Sequence, residues 1–281
     1  MKIVKTIEEV REEVRGWRAE GLSVGLVPTM GFLHEGHKSL ILRAASENDR
    51  VVVSDFVNPT QFGPGEDLES YPRDLQRDAS LCEEAGAALI FNPEAEEMYA
   101  ADATTFVNMT GPSEDLCGLS RPIHFRGVCT VVSKLFNIVK PDRAYFGQKD
   151  AQQLAVIRRM VRDLNFDIEI VGCPIVREED GLAKSSRNTY LSPEERQAAL
   201  VLSQAVKLGR QMAESGEKSA DAIVDAMKKH IEAEPLADID YVKAVDAVSI
   251  EPVSEMKPPV LVAMAVRVGV TRLIDNFIYE G

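Results

Sequence analysis

The chain has 281 residues, 45% of them hydrophobic, with 32 basic against 45 acidic side chains for a formal net charge of −13. That length fits two domains, or one large domain with an appendage, and the apolar share is enough for a sizeable core. The acidic balance argues against a nucleic-acid surface, which needs a basic face, but leaves room for a local basic pocket. No run of about eighteen apolar residues is present to span a membrane. The N-terminal stretch turns acidic at once and lacks the apolar core of a signal peptide. Cys82, Cys117, Cys129 and Cys173 are scattered without a disulfide-like framework or a CxxC pair. This suggests a reducing, cytoplasmic setting.

Thr6 to Glu9 reads as a capping box, opening a helix that runs to about Glu20 and stops at Gly21. A strand is expected over 23–29, then a helix from the HEGH stretch to about Asn48, then a buried strand over 50–57. The segment from Asn58 to Asp67 is too rich in Pro and Gly for regular structure. Pro72 is expected to open a helix ending at Gly86, followed by a strand over 87–91. A short strand is expected near 104–109, an amphipathic helix over 127–140, a strand over 144–147 and a helix from Asp150 to about Leu164. Residues 167–171 and 174–176 read as closing strands. This alternation predicts a Rossmann-like parallel sheet with helices on both faces, over 1–176. Residues 177–281 read as a smaller α+β domain: two helices over 193–233, then strands near 240–245, 260–268 and 272–278.

The chemistry concentrates where strands turn into helices. Pro28 to Leu40 joins the first expected strand to the HEGH helix. Such a turn leaves free backbone N–H groups and the positive end of a helix dipole, which suits a phosphate. Gly31 and Gly36 remove Cβ atoms where a ligand would approach the backbone. His34 and His37, three apart, project from the same side of the first helical turn and can donate to phosphate oxygens. A metal site is the competing reading, but zinc needs at least a third ligand and the zinc-protease spacing is i, i+4. An idle surface turn is the other.

Two more stretches favour anions. Lys184, Ser185, Ser186, Arg187 and Asn188 pack two cations, two hydroxyls and an amide into five residues, either an anion clamp or a solvated linker. Gly147, Gln148, Lys149 and Asp150 form a second strand-to-helix turn, where ligands of open α/β sheets bind. Lys149 can reach phosphate and Asp150 can accept from ribose hydroxyls, or simply cap the helix. Gln61 on the Pro/Gly loop offers a neutral donor and acceptor, and Arg121 and Arg126 add cations before a helix. Three anion-friendly turns together point to a multiply charged phosphate ligand, of which ATP is the common one.

These residues resemble a known family. The stretch TMGFLHEGH is similar to the HIGH motif of adenylate-forming nucleotidyltransferases, and AKSSRN is similar to their KMSKS-type loop. The stretches NPTQFGPGED, LCGLSRPIHFRGV, VKPDRAYFGQKDAQQLAVIRRM and DGLAKSSRNTYL resemble segments of the pantoate–β-alanine ligase family, in its order, over about residues 23 to 191.

The resemblance implies a Rossmann-like domain followed by a C-terminal lid carrying the KMSKS-like loop. It implies that pantoate and ATP form pantoyl adenylate and pyrophosphate, and that β-alanine then displaces AMP to give pantothenate. By the match, Met30, Gly31, Phe32, Leu33, His34, Glu35, Gly36 and His37 line the ATP site, with His34 and His37 on the phosphates and His37 the conventional proton donor. Gly147, Gln148, Lys149 and Asp150 hold ribose and phosphate, and the Val176 backbone meets adenine. Lys184, Ser185, Ser186 and Arg187 grip the triphosphate. Gln61 and Gln153 bind pantoate, with Gln61 also near β-alanine, and Asn58 and Arg121 are further candidates. Mg²⁺ comes with ATP, with Asp78 a candidate for assisting it. A homodimer is implied. Lys184 departs from the methionine often found there, adding a cation. Two rivals remain at this stage: a HIGH-type nucleotidylyltransferase making a dinucleotide-like product, and a nucleotide-binding sensor without turnover.

Overall fold

A computed structural model describes residues 1–281. In chain order it contains β1 (Lys2–Val4), α1 (Ile7–Ala19), β2 (Val24–Thr29), α2 (Glu35–Glu47), β3 (Arg50–Asp55), α3 (Leu75–Glu84), β4 (Leu89–Phe91), α4 (Ala95–Met98), α5 (Cys117–Ser120) and α6 (His124–Val139). Then come β5 (Arg143–Gly147), α7 (Ala151–Asp163), β6 (Glu169–Cys173), α8 (Pro193–Ala198), α9 (Leu200–Glu214), α10 (Ala220–Glu232), β7 (Ala237–Asp246), β8 (Val260–Val268) and β9 (Thr271–Tyr279). No helix is long and apolar enough to cross a membrane.

The chain divides into two compact units. The first comprises residues 1–109, 121–148 and 156–174, and the second 110–120, 149–155 and 175–281. The single break expected at 176/177 is thus replaced by an interleaved division.

In the first unit six strands form one sheet in the order β1-β4-β3-β2-β5-β6, every neighbouring pair parallel. Strands β2 and β3 read as near-continuous apolar runs because helices cover both faces of a parallel sheet. Val27, Val51, Val53 and Ile90 of the sheet pack with Leu40, Ile41 and Ala44 of α2 and with Cys82 of α3. The strand order reverses between β2 and β5, the switch point outside whose carboxyl ends such sheets bind ligands. Thr29 ends β2 and Gly147 ends β5, so the two strand-to-helix turns singled out in the sequence start from adjacent strands.

In the second unit β7, β8 and β9 form an antiparallel sheet in that order. Strand β8 is buried on both faces. Val260, Val262, Met264 and Val266 face a core with Leu202, Val206, Ile223 and Met227 of the helices. Leu261 and Ala263 face a smaller cluster with Leu116 and Ala155. That second cluster is why the two short segments 110–120 and 149–155 belong to this unit.

Several expected elements differ. β1 escapes a periodicity reading because it is three residues long and is held only by pairing with β4. The helix expected at Pro72 starts at Leu75, where the Asp74 side chain accepts from Arg77 N. Residues 104–109 form no strand; the Val107 amide instead donates to Thr130 Oγ1 on α6. Residues 174–176 also form no strand, and lead into a short hairpin. The stretch 193–232 holds three helices, with a break at Ala199. The expected capping boxes at Thr6/Glu9 and Ser192/Glu195 are present.

Candidate active site

In the first unit, the turn from β2 into α2 is built from the chain's own partners. Gly31 and Phe32 both adopt positive φ, +80° and +49°, so successive amides turn inward. Gly31 N donates to Thr29 Oγ1 at 3.2 Å. Phe32 N and Leu33 N donate to the two carboxylate oxygens of Asp78 on α3 at 2.6 and 2.7 Å. These are the amides expected to await a phosphate; they are held instead by a carboxylate that is 1% exposed. Asp78 is therefore engaged by the backbone rather than open to a cation, and no group of three His, Cys, Asp or Glu side chains is arranged to hold a metal ion. Gly31 likewise clears space for the protein rather than for a ligand, since a Cβ there would collide with Asp55 Oδ1.

His34 and His37 cap α2 reciprocally. Gly36 N donates to His34 Nδ1 at 3.1 Å, and His34 N donates to His37 Nδ1 at 3.3 Å. A nitrogen that accepts carries no proton, so both rings are neutral imidazoles with the proton on Nε2. The rings lie 4.1 Å apart between centroids, tilted by 32°. What this turn presents is thus a pair of oriented ring N–H donors on a fixed helix end.

Gln61 lies in a one-turn 3₁₀ segment over Pro59–Gln61, capped by Asn58. Its amide is oriented by a chain of bonds. Tyr99 Oη donates to Asn58 Oδ1 at 2.8 Å, and Asn58 Nδ2 donates to Gln61 Oε1 at 3.0 Å. With its oxygen so engaged, Gln61 shows its Nε2 donor, which contacts Met30 Sδ at 3.1 Å. Helix α6 presses against this segment at Gly127, where a Cβ would sit 2.5 Å from the Gln61 backbone. Arg121, expected as a bare cation, is paired with Glu66 at 2.5 and 3.0 Å and braces Gln61 O. Burial opposes ionisation of Glu66, but the bond and charge of Arg121 hold its carboxyl below the usual range. Gly147 ends β5 with nothing within 4 Å of its missing Cβ.

In the second unit, Lys149 Nζ lies 3.9 Å from Asp150 Oδ2, and Asn276 Nδ2 donates to Lys149 O at 2.9 Å. On α7, Gln152 and Gln153 separate by helical phase. Gln152 is buried and clamps Cys117 N, Pro112 O and Asp115 O, whereas Gln153 is only half-buried.

The stretch around Lys184 is an ordered hairpin rather than a loose linker. Arg177 pairs with Ala183, and Lys184 N donates to Val176 O at 2.9 Å. Arg177 ties the hairpin to β9, donating to both oxygens of Asp275 at 2.7 and 2.9 Å and to Gly181 O at 3.1 Å. Ser185 caps a 3₁₀ segment over Ser186–Tyr190, accepting from Arg187 N. Glu178 is a hub: it accepts from Asn188 Nδ2 at 3.1 Å and Arg196 Nη2 at 2.9 Å, and lies 3.9 Å from Lys184 Nζ. Burial opposes its ionisation, but those bonds and the charges of Arg196 and Lys184 keep its carboxyl below the usual range. Lys184, Arg177, Glu178, Glu179 and Asp180 line a cavity of ≈ 500 Å³. Of these residues the sequence reading missed Arg177, Glu178, Asp55, Asp78's hold on the turn, Tyr99 and Asp275. Asp55 and Asp275 carried a signal, each as a carboxylate inside an expected strand.

Comparison with known proteins bears on this arrangement. The family model described as pantoate-beta-alanine ligase matches residues 2–278. A pantothenate synthetase of Enterococcus faecalis is 62% identical over 280 residues, covering 100% of this chain and 99% of that one. The crystal structure of a pantothenate synthetase from Thermus thermophilus superposes with a TM-score of 0.93 at 48% identity, covering 100% of both chains. A pantoate-beta-alanine ligase from Francisella tularensis, solved in complex with beta-gamma ATP and beta-alanine, superposes with a TM-score of 0.80 at 33% identity, covering 99% of this chain and 97% of that one.

Proposed function

The chain belongs to the pantoate–β-alanine ligase family and is a ligase of pantothenate biosynthesis, and on that premise we propose how its own residues carry the reaction. The observation that carries the reading is the His34–His37 cap, which fixes two Nε2–H donors at a helix end beside the sheet's switch point.

ATP lies along the turn from Met30 to Gly36, whose Phe32 and Leu33 amides stay on Asp78, with its phosphates on His34, His37 and Lys149. Ser185, Ser186, Arg187 and Lys184 grip the triphosphate, while Gly147, Gln148 and Asp150 hold ribose and the Val176 backbone meets adenine. Pantoate lies on the Nε2 donor of Gln61 and on Gln153. Asn58 and Arg121 support Gln61, Asn58 through its side chain and Arg121 through the carbonyl. A pantoate carboxylate oxygen attacks the α-phosphorus, the bond to the bridging oxygen breaks, and pyrophosphate leaves with the electron pair. The neutral amine of β-alanine then attacks the acyl carbon. AMP leaves, and the amine's proton is lost to solvent. No enzyme nucleophile is needed, because the adenylate supplies the leaving group. The chain's part is positioning and stabilisation of charge that builds on the phosphates.

Mg²⁺ neutralises triphosphate charge when it is bound. With Asp78 engaged by amides, the donor set fits a metal carried in on the nucleotide rather than one caged by side chains. The four unpaired cysteines fit a cytoplasmic enzyme. A homodimer belongs to the same reading.

The test is pyrophosphate release from ATP and Mg²⁺, with pantoate alone and then with β-alanine. A pantoate-dependent burst that becomes steady turnover on adding β-alanine is expected. ATP binding without pantoate-dependent release would sink this account.

A further inference from the structure

Asp55 and Asp78 sit back to back beneath the β2–α2 turn. Asp55 Oδ1 and Asp78 Oδ2 both come within 3.3 Å of the same point, where a Gly31 side chain would begin. The residues are 7% and 1% exposed. Two adjacent buried carboxylates in a low-dielectric setting do not both ionise cheaply. Their surroundings distinguish them. Asp78 accepts two short backbone bonds, from Phe32 N and Leu33 N, which favour its charged form. Asp55 has no such donor: Asn92 Nδ2, its polar neighbour at the end of β4, bonds its backbone carbonyl instead.

We infer that Asp55 and Asp78 work as a singly charged carboxyl pair that positions the nucleotide turn, Asp78 as the internal anion bound by the turn's amides and Asp55 as its proton-bearing neighbour. Burial, then the charge of Asp78, pushes Asp55 up to about 7. Asp78 is also raised, burial outweighing the pull of the two amides, with Arg77 lowering it and Asp74 raising it from α3. Cys82, also on α3, has its thiol pushed up to about 12 by burial and by the two carboxyls, and stays neutral. The turn brings no titratable side chain at Gly31. A raised carboxyl favours the fold while protonated, and that advantage is lost as pH rises through the folded value. Above about pH 7, a second negative charge appears directly beneath the turn. Such a charge opposes both the turn's geometry and an approaching phosphate. Both carboxyls are positioning residues in this scheme.

The inference rests on the reading that this turn serves the nucleotide, and the test separates the two. The adenylation half-reaction is followed as pantoate-dependent pyrophosphate release from about pH 5.5 to 9, without β-alanine, so that no amine titration intrudes. Wild type is expected to lose rate as pH rises above about 7, roughly tenfold per unit once Asp55 is ionised. Asp55→Asn, which keeps the shape of the carboxyl but cannot ionise, is expected to keep its rate across that range. Asp55→Leu serves as a second neutral variant. The melting temperature of either variant should exceed that of wild type more at pH 8 than at pH 5.5, a readout that needs no activity. The same falling limb in Asp55→Asn, or an equal melting shift at both pH values, overturns the carboxyl pair. Absence of pyrophosphate release from wild type at every pH overturns the nucleotide reading instead, and the melting comparison still decides the pair.

Discussion

The β2–α2 turn and the Lys184–Asn188 stretch were both read as anion sites, yet the turn and the hairpin that holds this stretch are built on opposite plans. In the turn, neutral donors are fixed by partners that a ligand does not displace: amides on Asp78, and ring nitrogens capping each other's backbone. In the hairpin, cations and carboxylates share a network around Glu178, and Lys184 faces Glu178 across 3.9 Å. A neutral donor held by buried partners is pre-organised and changes little when charge arrives. A cation held by a partly exposed carboxylate can change partners at small cost. The first plan gives geometry, and the second gives exchange.

Four substitutions press on that contrast. The largest effect is expected where the hairpin departs from its own plan, at Arg177 and Asp275, whose carboxylate is 1% exposed. Arg177→Ala leaves that charge buried without its guanidinium and should cost about 3–5 kcal/mol in urea unfolding. Asp275→Ala should cost less, because Arg177 is partly exposed and can turn to solvent. Equal losses would mean that the clamp is not a buried-charge device. Next comes His37→Ala, which removes a fixed donor and the acceptor of the His34 amide. Single-turnover adenylation should fall roughly 10²–10³-fold, and near-normal adenylation would show that the turn's geometry does not serve the phosphates. The smallest effect is expected from Glu178→Gln, which removes a charge yet keeps an acceptor for Asn188. If Lys184 exchanges between Glu178 and phosphate, the KM for ATP should fall about two- to five-fold, the scale of a partly exposed ion pair. A rise in KM would make Glu178 a holder of the hairpin rather than a competitor for its lysine.

The parallel sheet was legible because strand and helix periods alternate cleanly between Val24 and Cys173, and because Gly21 and Pro141 mark element ends at which little else can occur. Both histidines and Gln61 could be picked out as chemistry-bearing from local spacing and loop composition. Their orientation could not, because it depends on distant partners. Asp78 lies 45 residues from Leu33, and Tyr99 lies 41 from Asn58. Arg177 and Asp275 are 98 apart. The expectation of free amides at the turn failed for the same reason: helix-end arguments count donors left over locally and cannot see a carboxylate delivered by another helix. Arg121 looked like a bare cation until Glu66 was placed beside it. The interleaved division of the chain was hidden because Leu116 and Ala155 are ordinary apolar residues whose address is the far face of β8.

The reciprocal cap on α2 also bears on how this stretch can change by descent. Each imidazole is the acceptor for an amide in the turn that orients both of them. A codon change at His37 therefore removes one ring and leaves the amide of His34 unanswered, and a change at His34 strips the acceptor from Gly36. Having lost one histidine, a lineage keeps little of the advantage that the other conferred, so selection acts on the two as a single inherited character.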